Sequence, residues 1–89
     1  MKLKSGFVLE KVGGSYLAVA VGERAEDFRV LIKLNESGAF LWENIAACDI
    51  TEGELTDKLV ERYKIDRTLA ARDVARFVKT ISYNELLDE

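Results

Sequence analysis

No histidine and no proline occur anywhere in the 89-residue chain, and it holds one cysteine and one tryptophan. With a single thiol, Cys48, and no imidazole, neither an internal disulfide nor an ordinary zinc site can be assembled. A nucleophile activated by histidine is excluded on the same ground. No glycine-rich phosphate loop is present, because Gly13 and Gly14 join two strand-like runs instead of opening a helix. The longest apolar runs, such as YLAVAV, fall far short of the roughly 20 residues that span a bilayer. MKLKSGF carries lysines but no apolar block and no small-residue cleavage site, so no signal peptide is expected and the expected compartment is the cytoplasm. A surplus of positive charge is missing too. The net charge is −3, the wrong sign for a protein that coats nucleic acid. At this length one domain, 1–89, is expected, near the lower limit for a single core without staples.

What is present is periodicity. Phe7 to Val12 and Ser15 to Val21 alternate at period two around Gly13 and Gly14, the residue types that a two-residue hairpin with positive φ requires. On the second run Leu17, Val19 and Val21 share one face and Tyr16, Ala18 and Ala20 the other, and the larger aliphatics are expected inside. The first run is apolar on both faces at Phe7, Val8 and Leu9, which leaves its facing open. Gly22 to Glu26 is polar and reads as a loop. Phe28, Val30, Ile32 and Leu34 then alternate with Arg29, Leu31 and Lys33 in a third, half-buried strand. Connections this short cannot carry a parallel crossover, so the three strands form an antiparallel meander.

From Asn35 the period changes to about 3.6. Asn35 is placed as an N-cap, and Phe40, Leu41, Trp42 and Ile45 form the apolar stripe of a first helix ending near Ala47 or Cys48. In ITEGEL, Thr51 and Glu54 form a capping box, with Ile50 and Leu55 stapling the entry to a second helix through Leu59, Val60 and Tyr63. Lys64 and Ile65 leave it, and Asp66 caps a third helix from about Arg67 to Tyr83 or beyond. There Ala70, Val74, Phe77, Val78 and Ile81 form the apolar stripe, opposite Arg72, Arg76, Lys79 and Tyr83. The predicted class is α+β, in the order βββααα.

Trp42 reads as a core anchor. Cys48 reads as a small buried or half-buried filler, because a helix C-terminus opposes a thiolate. Glu52 and Glu54 belong to a capped first turn, where acids favour the helix dipole. The cations Arg72, Arg76 and Lys79 are compatible with a solvated face. If strand three lies beside helix three, however, Arg29 and Lys33 join them around one groove that would favour an acidic, extended partner. An unpaired edge on strand three would present free N–H and C=O groups to such a partner.

Taken together, KLNESGAFLWENI, ITEGELTDKLVERYKID and AARDVARFVKTI resemble the PqqD-like family, the small proteins of pyrroloquinoline quinone synthesis and the related recognition domains of ribosomally made peptides. The pattern is carried by Leu34 and Asn35, Gly38 and Trp42, Thr51, Tyr63 and Asp66, then Asp73 and Val74. One departure is visible. Family members often place a glycine before a closing pair of aliphatics, where this chain has Asn84 and Glu85 before Leu86 and Leu87, so the path of the last turn is open.

The resemblance implies a winged helix-turn-helix fold that binds the leader segment of a precursor peptide and delivers it to a modifying enzyme, often a radical S-adenosylmethionine protein. It implies no catalysis and no cofactor in this chain, and no nucleic acid or membrane as partner. The leader would add as a strand along Phe28, Arg29, Val30, Leu31, Ile32 and Lys33 and rest against helix three at Ala71, Arg72, Ala75, Arg76, Val78 and Lys79. The small residues Ala71, Ala75, Val78 and Ser82 are preferred as the groove-lining flank over Asp73, Thr80 and Asn84. Two other readings compete: a winged-helix DNA binder using the basic stripe of helix three, and a homodimer paired through the same sheet edge.

Overall fold

Gly13 takes φ 62, a left-handed value that glycine adopts without steric cost, and turns β1 (Phe7–Val12) back into β2 (Ser15–Ala20). Only this first glycine of the pair needs the positive angle. The computed structural model describes residues 1–22 and 32–88. Within them a third strand, β3 (Ile32–Leu34), lies antiparallel to β2 in the sheet order β1-β2-β3. Phe28, Arg29, Val30 and Leu31, expected on the same strand, lie outside the described residues. Three helices follow: α1 (Glu36–Ala47), α2 (Glu52–Tyr63) and α3 (Arg67–Tyr83).

Each helix starts where a side chain can accept from a free first-turn amide. Asn35 accepts from Gly38 N–H at 2.9 Å, and Asp66 accepts from Thr68 N–H at 3.0 Å. Thr51 and Glu54 satisfy one another's amides reciprocally, with Ile50 and Leu55 both buried behind the box. α2 ends on Lys64 at φ 55, whose N–H donates to Val60. α3 ends in a Schellman motif: Glu85 stands at φ 60, its N–H donates to Ser82, and Leu86 N–H donates to Ile81. The turn left open by the missing glycine is therefore the glycine conformation built with a glutamate.

The facing of β2 is the reverse of the one expected from side-chain size. Tyr16 pairs with Leu34 and Ala18 with Ile32, so Tyr16 and Ala18 share the core face. Ala18 is 1% exposed, whereas Val8 and Val12 on the opposite face are 40% and 54% exposed. The reason lies in α1, whose Leu41, Trp42 and Ile45 fill the layer beneath the sheet together with Ala18, Ile32 and Leu34. An interior at crystal-like density has room there only for a small side chain on β2. The aliphatics Leu17, Val19 and Val21 are left on the outer face. The rest of the core takes Ala70, Val74, Phe77 and Ile81 of the expected α3 stripe, whose Val78 is only half-buried, together with Leu55 and Leu59 of α2 and with Ala39, Ile50 and Leu86.

Cys48 is exposed instead of buried. Backbone turns extended there, φ −163, so the helical phase that would have returned it to the core side is lost one residue too early.

A segment that periodicity did not reveal closes the fold. Leu3 bridges Leu87, with Lys4 N–H donating to Leu86 and Asp88 N–H to Lys2. Ile50 N–H donates to the Met1 carbonyl, while the Met1 amino group reaches Asp49 Oδ1 at 2.6 Å. The N-terminal segment is thus paired with residues 86–88 and the α1–α2 connection.

Candidate functional site

A strand has two edges, and β2 occupies only one edge of β3. Among the described residues no strand pairs with the other. The main-chain donors and acceptors of that edge carry no sequence information by themselves, but they form a row to which an extended chain can add.

Beside the C-terminal end of β3 lies an open cavity of about 460 Å³. The sheet contributes Lys33 and Leu34 together with Gly14 of the hairpin turn and Ser15 at the start of β2. Gly38 and Leu41 of α1 close the second side, with Asn35 and Ser37 at the helix start. Here Gly38 has a packing role: a Cβ on it would stand 3.2 Å from Asn35 Oδ1 and 3.3 Å from Leu34. A Cβ there would push the cap and the strand end apart by a few tenths of an ångström. The third wall is α3, through Asp73, Arg76, Phe77 and Thr80. Leu34, Leu41 and Phe77 are buried core residues and make an apolar floor, while Arg76 and Lys33 are exposed.

Of the residues expected to meet a peptide, the structure brings Lys33 and Arg76 to one cavity. Ile32 turns its side chain into the core, so only its backbone is available at the edge. Ala71, Arg72, Ala75, Val78 and Lys79 do not line this cavity. At 100° per residue, Ala71, Ala75 and Ser82 lie about half a turn from Asp73 and Thr80 on α3. The flank beside the end of β3 is the Asp73–Thr80 flank. Sequence periodicity fixes both flanks equally well, and the choice comes from how α3 is rotated onto the other elements. Phe77 and Leu41 were legible as core residues but gave no sign that their edges also floor a cavity.

Lys33, Asp73 and Arg76 take part in no ion pair among the described residues, where the ion pairs are Met1 with Asp49 and Arg67 with Asp57. These three charges around an apolar floor therefore have no ion-pair partner among the described residues. A second cavity of about 370 Å³, lined by Phe40, Asn44, Lys58, Glu61 and Arg62, takes nothing from the strands. Arg62 covers both rings of a T-shaped Phe40–Tyr63 pair there. Among the described residues no cluster of histidine, cysteine and carboxylates could hold a metal ion, and no helix is long and apolar enough to cross a membrane.

The family model of coenzyme PQQ synthesis protein D (PqqD) matches residues 8–87. The chain belongs to the PqqD family. Among solved structures, TbiB1 in complex with the TbiA(beta) leader peptide is similar at a TM-score of 0.73 and 19% identity, covering 99% of this chain and 95% of that one. That identity speaks to fold: three antiparallel strands followed by three helices. No curated protein matches the sequence significantly. The residues that carry the PqqD resemblance have distinct physical roles here. Asn35, Thr51 and Asp66 cap helices, Trp42 and Val74 fill the core, and Gly38 and Asp73 line the cavity beside β3.

Proposed function

We propose that this PqqD-family chain is a non-catalytic carrier that binds the leader segment of a ribosomally made precursor peptide as an added strand on the free edge of β3. One apolar leader residue would rest on Leu34, Leu41 and Phe77, and polar neighbours would meet Lys33, Arg76 and Asp73. The observation that carries this reading is an edge of β3 that no strand among the described residues pairs, beside an open cavity, in a chain whose own N-terminal segment is paired elsewhere. A leader-peptide complex among structures of the same fold supports it.

Ladder hydrogen bonds and an apolar anchor supply the gain, while ordering a flexible leader and the lost freedom of association offset much of it, so the complex is one that releases readily. Such a carrier releases its cargo to a modifying enzyme, a radical S-adenosylmethionine protein being the enzyme class we favour, in the cytoplasm where precursors are translated. A DNA-binding reading is disfavoured by the net charge of −3 and by a hairpin turn, Gly13–Gly14, that carries no cation.

Titration calorimetry and backbone amide shifts with candidate leader peptides test the proposal. Saturable binding with the largest shifts at Ile32 to Leu34 and along Asp73 to Thr80 is expected. Binding that leaves those amides unmoved, or duplex DNA competing with the leader, would overturn it.

A further inference from the structure

α3 carries a second face that neither the core nor the leader cavity takes up. Leu69, Arg72, Arg76, Lys79 and Tyr83 are all exposed there, Leu69 at 42% and Tyr83 at 86%. Steps of three, four, three and four residues keep them within an arc of about 80°, on a stripe about 21 Å long. The one acid within α3, Asp73, stands outside that arc and lines the leader cavity. Arg72, Arg76 and Lys79 take part in no ion pair among the described residues.

A helix face that meets only water ordinarily interleaves both signs, because like charges three or four residues apart repel. Here a chain of net charge −3 gathers three cations without an acid between them. An apolar side chain stands at each end of the row, and arginine and tyrosine are the residue types that dominate protein contacts. The helix also limits the form of an occupant. Its interior main-chain groups are paired along its own axis, so this face offers nothing to complete the backbone of an extended visitor. A second helix arrives with its backbone already paired, and a repeat of about 3.5 residues is the seam that two helices share.

We infer that this face docks a helix of a protein partner whose facing positions carry carboxylates between apolar ends. The carboxylates would meet Arg72, Arg76 and Lys79, and the ends would cover Leu69 and Tyr83, with the two axes crossing at about 20°. Because Arg76 also lines the leader cavity, a helix seated here lies alongside that cavity without filling it. The docking does not rest on the leader reading, since it needs neither the edge of β3 nor a bound leader.

The probe is a stapled helical peptide of about 21 residues with glutamates at three successive seam positions and leucines at the two flanking ones. Its counterpart with lysines for the glutamates is the control. NMR titration of the full chain should show saturable binding of the glutamate peptide alone, with shifts along Leu69 to Tyr83 and an affinity that falls as salt rises. Arg72→Glu with Lys79→Glu should weaken that binding about tenfold or more and admit the lysine peptide instead. Its circular dichroism should be unchanged, because both side chains are exposed. Leader titrations of the same variant should match the parent, because neither residue lines the cavity, so a failed leader titration would bear on the carrier reading alone. No saturable binding of the glutamate peptide, equal binding of the lysine peptide, or a charge reversal that does not switch the preference would overturn the inference. Duplex DNA displacing the peptide would overturn it too and assign the face to nucleic acid.

Discussion

Leu86 donates its backbone N–H to the carbonyl of Ile81 at 2.9 Å, across a left-handed Glu85 at φ 60. Both Ile81 and Leu86 are buried, so the motif fixes the direction in which the chain leaves α3. Glutamate pays a steric penalty in that region which glycine avoids. Glu85→Gly is expected to raise stability by about 0.5–1 kcal/mol, seen as a higher urea midpoint at unchanged slope. Lys64→Gly, at φ 55, should do the same at the end of α2.

The inverted facing of β2 makes a paired prediction. Ala18→Leu should cost ~1–3 kcal/mol through overpacking against α1, although it adds apolar bulk. Leu17→Thr removes apolar bulk from the outer face and should cost under about 1 kcal/mol. Denaturant unfolding of the two variants tests the order, which is opposite to the one that side-chain size on the strand suggests.

Thr51 accepts from Glu54 N–H at 3.1 Å while Glu54 accepts from Thr51 N–H at 3.2 Å. Thr51→Ala should lower stability by ~1 kcal/mol, and Thr51→Ser should retain most of it because the hydroxyl carries the cap. Equal loss in both variants by thermal unfolding would locate the effect elsewhere than the cap.

On the leader reading, the cavity assigns the sensitive flank of α3. Thr80→Trp places an indole over the Phe77 floor and should weaken leader binding at least tenfold by calorimetry. Ala75→Trp, about half a turn away and exposed, should have the smaller effect. The reverse order would place the leader on the alanine flank.

The Met1 amino group holds the Asp49 carboxyl below the usual carboxylate range, by its hydrogen bond first and by its charge second, with Lys2 adding a little. A folded pKa below the unfolded one gives a contribution present above the unfolded value and lost as pH falls through the folded value. The carboxyl is solvated, so the contribution is small. An NMR titration should place its midpoint below that of an ordinary aspartate, and acetylating the amino group should bring it back up.

Local rules were enough to read every helix start, because Asn35, Thr51 and Asp66 each act on amides two or three residues away. The hairpin and the apolar stripe of α3 were legible for the same reason. What depends on distant partners was not. Ala18 faces inward because α1 arrives close to it, and no pattern within β2 records that arrival. The rotation of α3 that brings Asp73 and Thr80, instead of Ala71 and Ala75, to the end of β3 is set by its packing on the other elements. Leu3 meets Leu87 across the whole length of the chain, with no repeating signal in either segment.

β3 divides two territories of unlike chemistry: a concave side floored by Phe77 and a flat side carrying the valines. Any polypeptide that zips onto its vacant margin must send odd-numbered side chains to one territory and even-numbered ones to the other. A guest docked one step out of phase would therefore exchange its entire complement of inward and outward groups. Parity, more than the identity of any one guest residue, is what this margin can read.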